Sequence, residues 1–216
     1  TVCLGRRNGD KLGPLIAEIE AAGGTAHGYT MDARDEDSTA AIFRTVEETV
    51  GPIEVVIFNV GGNVRFDILE TTARVFRKVW EMACFAGFLT GREAARHMIP
   101  RGRGSLFFTG ASASMRGNPG YSAFGAGKAG LRSLAQSLAK ELGPKGIHVA
   151  HLVIDAGVDT AFVRERHRSQ GRDPDALPPD TLMNPASVAE AYWMLHNQSR
   201  DAWTFELDLR PFAETW

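Results

Sequence analysis

Two arginines in succession, Arg6 and Arg7, follow a short apolar run at the start of the sequence. A guanidinium at the end of such a run can hold a phosphate through paired N–H donors, although adjacent arginines in a loop are equally often a solvated pair. A second group of reactive types lies between residues 109 and 128. Ser112 and Ser114 sit in the stretch T-G-A-S-A-S, and Lys128 follows Phe124 by four positions. That spacing puts Phe124 and Lys128 on one helix face, with Tyr121 three residues earlier and a turn away. An isolated F-x-x-x-K is most simply a core ring beside a surface amine, so the neighbourhood has to decide. Asp155 closes a further apolar run. Metal chemistry finds no support, because none of the six histidines and two cysteines has ligand spacing. His148 and His151, inside an apolar run, read as satisfied core or edge residues. Trp203 and Trp216 read as packing or interface residues rather than a base-stacking site.

The elements that must position these groups follow from composition and pattern. The chain has 216 residues, 44% hydrophobic and 23% charged, with a formal net charge of -2. That is enough for one sizeable core, and the balance gives no nucleic-acid footprint. No apolar run approaches the ~20 residues of a membrane span. The first residues are too short for a signal peptide, and the two isolated cysteines fit a reducing compartment. A soluble, cytoplasmic protein without membrane or nucleic-acid partners is expected.

Short β-type runs alternate with helical patterns from end to end, with no repeat or linker. Strands are expected at 1–4, 26–30, 54–58, 105–109, 147–154 and 203–207. Helices are expected where Leu12, Leu15, Ile16 and Ile19 recur, from 35–38 onward, over 72–98, over 121–142, and from Asn184-Pro185 to about residue 196. The stretch 161–180, rich in Arg, Asp and Pro, shows no clear periodicity. Near-continuous apolar strands between helices predict a parallel sheet covered on both faces, a Rossmann-type doubly wound three-layer α/β/α domain spanning 1–216. Ligands of such sheets sit beyond the carboxyl ends of the strands, which directs attention to the loops after Leu4, Thr30, Phe58, Thr109 and Ile154.

Those loops resemble the short-chain dehydrogenase/reductase family along the whole chain. Gly5-Arg6-Arg7 looks like the end of the second strand in NADP-preferring members, where a basic residue meets the ribose 2′-phosphate. Met31-Asp32-Ala33 resembles the Asp-Val pair that holds the adenine edge. Phe58-Asn59-Val60-Gly61 is similar to the family's N-N-A-G, and Thr160 keeps the place of a cofactor-contacting threonine. The stretch 109–128 resembles the active-site segment, a serine followed by Tyr-x-x-x-Lys. The resemblance implies that Lys128 binds the nicotinamide ribose. It also implies that the tyrosine position, which exchanges a proton with substrate, is Phe124. Ala111 falls at the serine position, with Ser112 one residue late and Ser114 three late, and the family's helix asparagine falls on Cys84. Lys128 alone survives of the tetrad.

The resemblance therefore implies an NADP-dependent oxidoreductase (NAD less favoured) acting on a small carbonyl or alcohol, with Tyr121 or Asp155 as the substitute proton donor. The alternative is a cofactor-binding relative with non-redox or no activity, a sensor or assembly partner. A homodimer or homotetramer through the two long helices is expected, and 161–180 matches the substrate lid. The family's first strand and Gly-rich turn do not occur, so a preceding segment of about thirty residues, one βα unit, is expected, and the first strand seen here should not pair directly with 54–58.

Overall fold

A computed structural model describes residues 1–212 and 214; Trp216 lies outside the described residues. Among the described residues six parallel strands and seven α-helices alternate. Strands β1 (Val2–Arg6) and β2 (Ala26–Thr30) form a two-stranded ladder. Strands β3 (Val55–Phe58), β4 (Gly104–Thr109), β5 (Ile147–Ile154) and β6 (Glu206–Leu209) form a second ladder in that order. The ladder of β1 does not extend to β3. This is the parallel, doubly wound Rossmann-type α/β fold expected from the alternation.

Helix α1 (Gly13–Ala21) runs into Gly23, whose φ of +83° makes it the left-handed stop that a side chain would strain. Helix α2 (Glu36–Thr49) is opened by Asp35, whose carboxylate accepts from the Ser38 amide at 2.7 Å. Phe43 and Val46 of α2 are buried, as the spacing predicts. Helix α5 (Ser122–Leu142) buries Leu131, Ala135 and Leu142 against β4 and β5. Helix α7 (Pro185–His196) covers the other face, with Ala191 and Leu195 against Phe107, Ala150 and Leu152. Strand β5 is buried along nearly its whole length, which explains its largely apolar reading.

Four details differ from the sequence reading. The helix expected over 72–98 is two helices, α3 (Ala73–Trp80) and α4 (Ala86–Met98), joined by a π-helical turn over Glu81–Phe85. The last strand begins at Glu206 rather than at 203. Trp203 stacks on His148 at 4.9 Å, the Thr204 carbonyl pairs with His148 Nε2, and the Thr204 amide bonds Gln198. Those contacts divert the two residues from the ladder. The stretch 161–180 contains helix α6 (Ala161–Ser169), none of whose side chains is buried, so it lacks the apolar stripe by which helices are recognised. Finally, β1 continues through Arg6, two residues further than expected.

Candidate active site

The parallel strands send their loops to one end, and the residues singled out in the sequence lie on those loops. After β1, Arg7 is exposed, and Arg6 is exposed with one guanidinium nitrogen 3.4 Å from the Lys11 carbonyl. After β2, Asp32 is gripped by Arg34 through Nε at 2.9 Å and Nη2 at 2.5 Å. The Arg34 hydrogen bond holds the Asp32 carboxyl at about 2, and Arg7 contributes to the same field. Ala33 packs against the main core. After β3, Asn59 and Gly61 are exposed while Val60 packs against that core, and no atom stands within 4 Å of where a Gly61 side chain would begin.

The loop after β4 is a 3₁₀ turn over Ser112–Ser114. Ser114 is buried and accepts from the Ala111 amide at 3.0 Å, so its hydroxyl closes the turn. Ser112 donates to Asp155. Asp155, at the end of β5, is 1% exposed and receives both Arg116 terminal nitrogens, at 3.0 and 2.8 Å. Burial pushes the Asp155 carboxyl up, but the hydrogen bonds from Arg116 and Ser112 and the charges of Arg116 and Arg210 outweigh it. The carboxyl is left below its ordinary value. Asp155 is thus an ionised anchor for the loop, an arrangement ill suited to donating a proton at neutral pH.

Lys128 lies on α5 and is 4% exposed; its Nζ donates to the Thr109 carbonyl at 2.7 Å, its one acceptor among the described residues. Burial pushes the ammonium down to about 8. Phe124 is one turn earlier, also buried, and packs with Val79 and Ala123 against Ala111, Ala113 and Tyr121. Its ring belongs to this apolar cluster rather than to the lining of the neighbouring cleft. Tyr121 does line that cleft, a space of about 310 Å³ bounded also by Ser114, Arg116 and Asn118. Tyr121 is not a helical residue: it occupies the N-cap position of α5, with φ at -113°. Its hydroxyl accepts from Arg166 of α6 at 2.9 Å, and the Arg65 guanidinium stands 6.0 Å from its ring centre. Thr160 is exposed and caps α6, accepting from the Val163 amide at 3.3 Å.

Cys84 sits in the π-helical turn, half-buried. Its Sγ lies 2.9 Å from where a Gly130 side chain would begin, and Ala83 lies 2.8 Å from the same point on Gly127. Glycines therefore allow the π turn to lie directly on α5 beside Lys128. Sequence reasoning missed Arg34, Arg116 and Arg166, the three guanidinium groups that engage Asp32, Asp155 and Tyr121. Arg34 was the most accessible of them, only two residues from its carboxylate; the others act across 39 and 45 residues. Among the described residues no group of three or more His, Cys, Asp or Glu could hold a metal ion, and no helix is long and apolar enough to cross a membrane.

Residues 1–171 match the family model for short chain dehydrogenases. The chain belongs to the short-chain dehydrogenase family. Its similarity to 2-dehydro-3-deoxy-D-gluconate 5-dehydrogenase of Formosa agariphila is 30% identity over 148 residues, covering 68% of this chain and 56% of that enzyme. Gluconate 5-dehydrogenase of Gluconobacter oxydans is 29% identical over 148 residues, covering 68% and 58%. The chain thus spans a little over half the length of these relatives. A solved short-chain dehydrogenase from Rhodopseudomonas palustris is 52% identical, with a TM-score of 0.82 over 98% of this chain and 87% of that one. An alcohol dehydrogenase from the archaeon Thermococcus sibiricus, complexed with 5-hydroxy-NADP, shares the fold at 23% identity, with a TM-score of 0.83 over 99% and 86%.

Proposed function

We propose that this short-chain dehydrogenase is an NADP-dependent oxidoreductase acting on a small carbonyl or alcohol, with Tyr121 in the proton-exchanging role that Phe124 cannot fill. The observation that carries the reading is the Tyr121 hydroxyl, which lines the cleft and accepts from Arg166, leaving its own proton to be given elsewhere. The residues present fit a nicotinamide cofactor. Lys128 is a buried ammonium with one protein acceptor, and a sugar hydroxyl completes such a donor set. When bound, the cofactor supplies the hydride. Lys128 holds the ribose, Asp32 and the Ala33 amide meet the adenine edge, and Arg6 and Arg7 offer donors to a 2′-phosphate. Asn59, Val60 and Gly61 line the open approach after β3. Phe124 and its apolar neighbours exclude water beside Lys128. Ser112 and Ser114 shape the loop, and Asp155 fixes Arg116 at the cleft wall.

A homodimer or homotetramer through the long helices is part of the same proposal. Phe76, Trp80 and Phe88 are large exposed rings on α3 and α4, and Trp80, Phe85 and Phe88 stack in succession at 6.0 and 6.1 Å. Such a patch supports association.

The test is NADPH and NADH binding followed by a carbonyl screen. Arg6→Ala with Arg7→Ala should weaken NADPH far more than NADH, since only NADPH carries the 2′-phosphate; equal weakening refutes the NADP assignment. Tyr121→Phe should lower carbonyl reduction by roughly 10²–10⁴-fold with binding intact, the usual loss of general acid–base help. Full activity in that variant removes Tyr121 from the mechanism. Tight NADPH binding with no turnover across a broad panel would instead describe a cofactor-binding relative without dehydrogenase activity.

A further inference from the structure

The middle of β5 is fully buried, and apolar except for a histidine. His151 is 0% exposed, and its Nδ1 lies 3.0 Å from Glu206 Oε2 on the neighbouring strand, directly opposite in register. Glu206 is gripped in turn by Arg132 of α5, through Nε at 2.6 Å and Nη2 at 2.8 Å. The Arg132 hydrogen bonds hold the Glu206 carboxyl below its ordinary value, so it faces His151 as a carboxylate. An ionised carboxylate only accepts, which fixes the proton on Nδ1 and leaves a lone pair on Nε2. That Nε2 has no hydrogen-bond partner among the described residues. An unsatisfied buried acceptor destabilises the fold, and a leucine in its place would avoid that cost.

The direction of the free nitrogen gives the histidine a purpose. His151 pairs in register with Phe108, whose side chain lies in the α5-facing core, so the imidazole is on the α5 side of the sheet. Its Nε2 stands 2.4 Å from where a Gly110 side chain would begin, and the Leu152 carbonyl stands 2.9 Å from the same point. The imidazole fills the space that only glycine at 110 leaves open. Gly110 follows Thr109, whose carbonyl receives Lys128 Nζ. Lys128 and Arg132 are one turn apart on α5, and the charges of both act on the ring, which is bound to the carboxylate that Arg132 grips. The charges that face it are Glu206 from β6 and Lys128 and Arg132 from α5.

We infer that the His151–Glu206 pair positions Lys128: the Nε2 lone pair of His151 is the second acceptor of the buried ammonium, reached through one water. Thr109 and His151 then hold two of its three N–H groups and aim the third at the cleft. His151 is a positioning residue, not a catalytic one. The inference rests on Lys128 as the working cation of the proposed site.

The test uses the full chain and reads the link apart from turnover. Long-range ¹H–¹⁵N correlation on the wild type should show His151 as the Nδ1–H tautomer; an Nε2–H tautomer has no lone pair to offer and overturns the inference. The Lys128 titration midpoint is then followed by NMR of the labelled side chain in His151→Leu, His151→Asn and His151→Gln. Loss of an acceptor for the charged form should lower the midpoint by about one unit, tenfold in the proton equilibrium, in the leucine and asparagine variants. Asparagine reaches Glu206 but not Lys128. Glutamine places an acceptor near the Nε2 position and should restore most of the wild-type value. An unchanged midpoint in the leucine and asparagine variants, or asparagine behaving as glutamine does, refutes the link. NADPH binding by the same variants reports separately on Lys128, so a failed cofactor reading is distinguishable from a failed His151 link. Should the leucine variant not fold, the tautomer and the asparagine–glutamine contrast still decide.

Discussion

The polar groups around Lys128 and those of α6 are drawn from the same side-chain types, but water treats them differently. Lys128, His151 and Asp155 are all less than 5% exposed, and each is matched to a specific partner or has its proton equilibrium displaced. On α6, Arg164 bridges Asp159 and Asp175, and Arg168 reaches Glu165 and Asp175, all partly or largely exposed. Solvent there does the work that partners do below. The contrast teaches where function is to be sought: a charge kept under the sheet carries a standing cost that packing alone does not explain, whereas an exposed network carries almost none.

The largest expected effect separating the two regions comes from Lys128→Met. It should reduce NADPH affinity by two orders of magnitude or more, measured by fluorescence titration. It should also abolish a stability term of the wild type. The Lys128 ammonium is pushed down to about 8 in the folded chain, so between about pH 8 and 10.5 the unfolded chain binds more protons. Wild-type stability from this group therefore rises across that window by about 3 kcal/mol, and urea melts of the methionine variant should lack the rise. An identical pH slope in both proteins would show that Lys128 is solvated.

His151 supplies the acid counterpart. Burial holds it down to about 4, so between about pH 6.5 and 4 the unfolded imidazole gains a proton that the folded one refuses. Stability is lost as pH falls through that window, on the order of 3 kcal/mol, and His151→Gln should flatten the loss. Next in size is Arg116→Ala. Truncating one partner of a fully buried pair costs roughly 3–5 kcal/mol. Arg116 is partly exposed, and Ser112 and Arg210 remain beside Asp155, so about 2 kcal/mol is expected in chemical denaturation. The smallest effect belongs to α6: Arg164→Ala should leave the unfolding midpoint unchanged within error. A loss as large as that of Arg116→Ala would erase the contrast between the regions.

Much of this arrangement was legible from residues. The strands Gly104–Thr109 and Ile147–Ile154 announce themselves because burial on both faces leaves mostly apolar types, whereas Val55–Phe58 reads as apolar although only Phe58 is buried and Ile57 is exposed. Asn184-Pro185 and Asp35 mark helix starts because capping is local chemistry. Lys128 was found through its place in a family motif. What escaped the sequence was non-local or solvent-facing. His151 read as a satisfied core residue, since nothing within β5 reveals that its partner Glu206 is 55 positions away or that its second nitrogen is open. Helix α6 escaped because a helix that buries nothing carries no apolar period. Tyr121 was placed on the helix face of Phe124, whereas its N-cap backbone turns it toward Arg166 and the cleft.

The π-helical turn between α3 and α4 has a consequence for the genetics of this chain. At its end the Ala86 amide reaches back five residues to the Glu81 carbonyl, so one residue more than an α-turn needs has been taken up. Each α-helical residue advances the side-chain direction by about 100°. Winding the same number of residues as regular α-helix instead would turn everything from Ala86 to Met98 by about that angle. Gly87 and Gly91, which face Leu131 and Leu138 so closely that no side chain fits between, would be swung out of the crossing. The π turn between Trp80 and Ala86 therefore fixes the orientation of α4 as firmly as residue identity does: a single-codon deletion there should leave regular helix with α4 still in register, whereas changes that abolish the π turn at unchanged length should not.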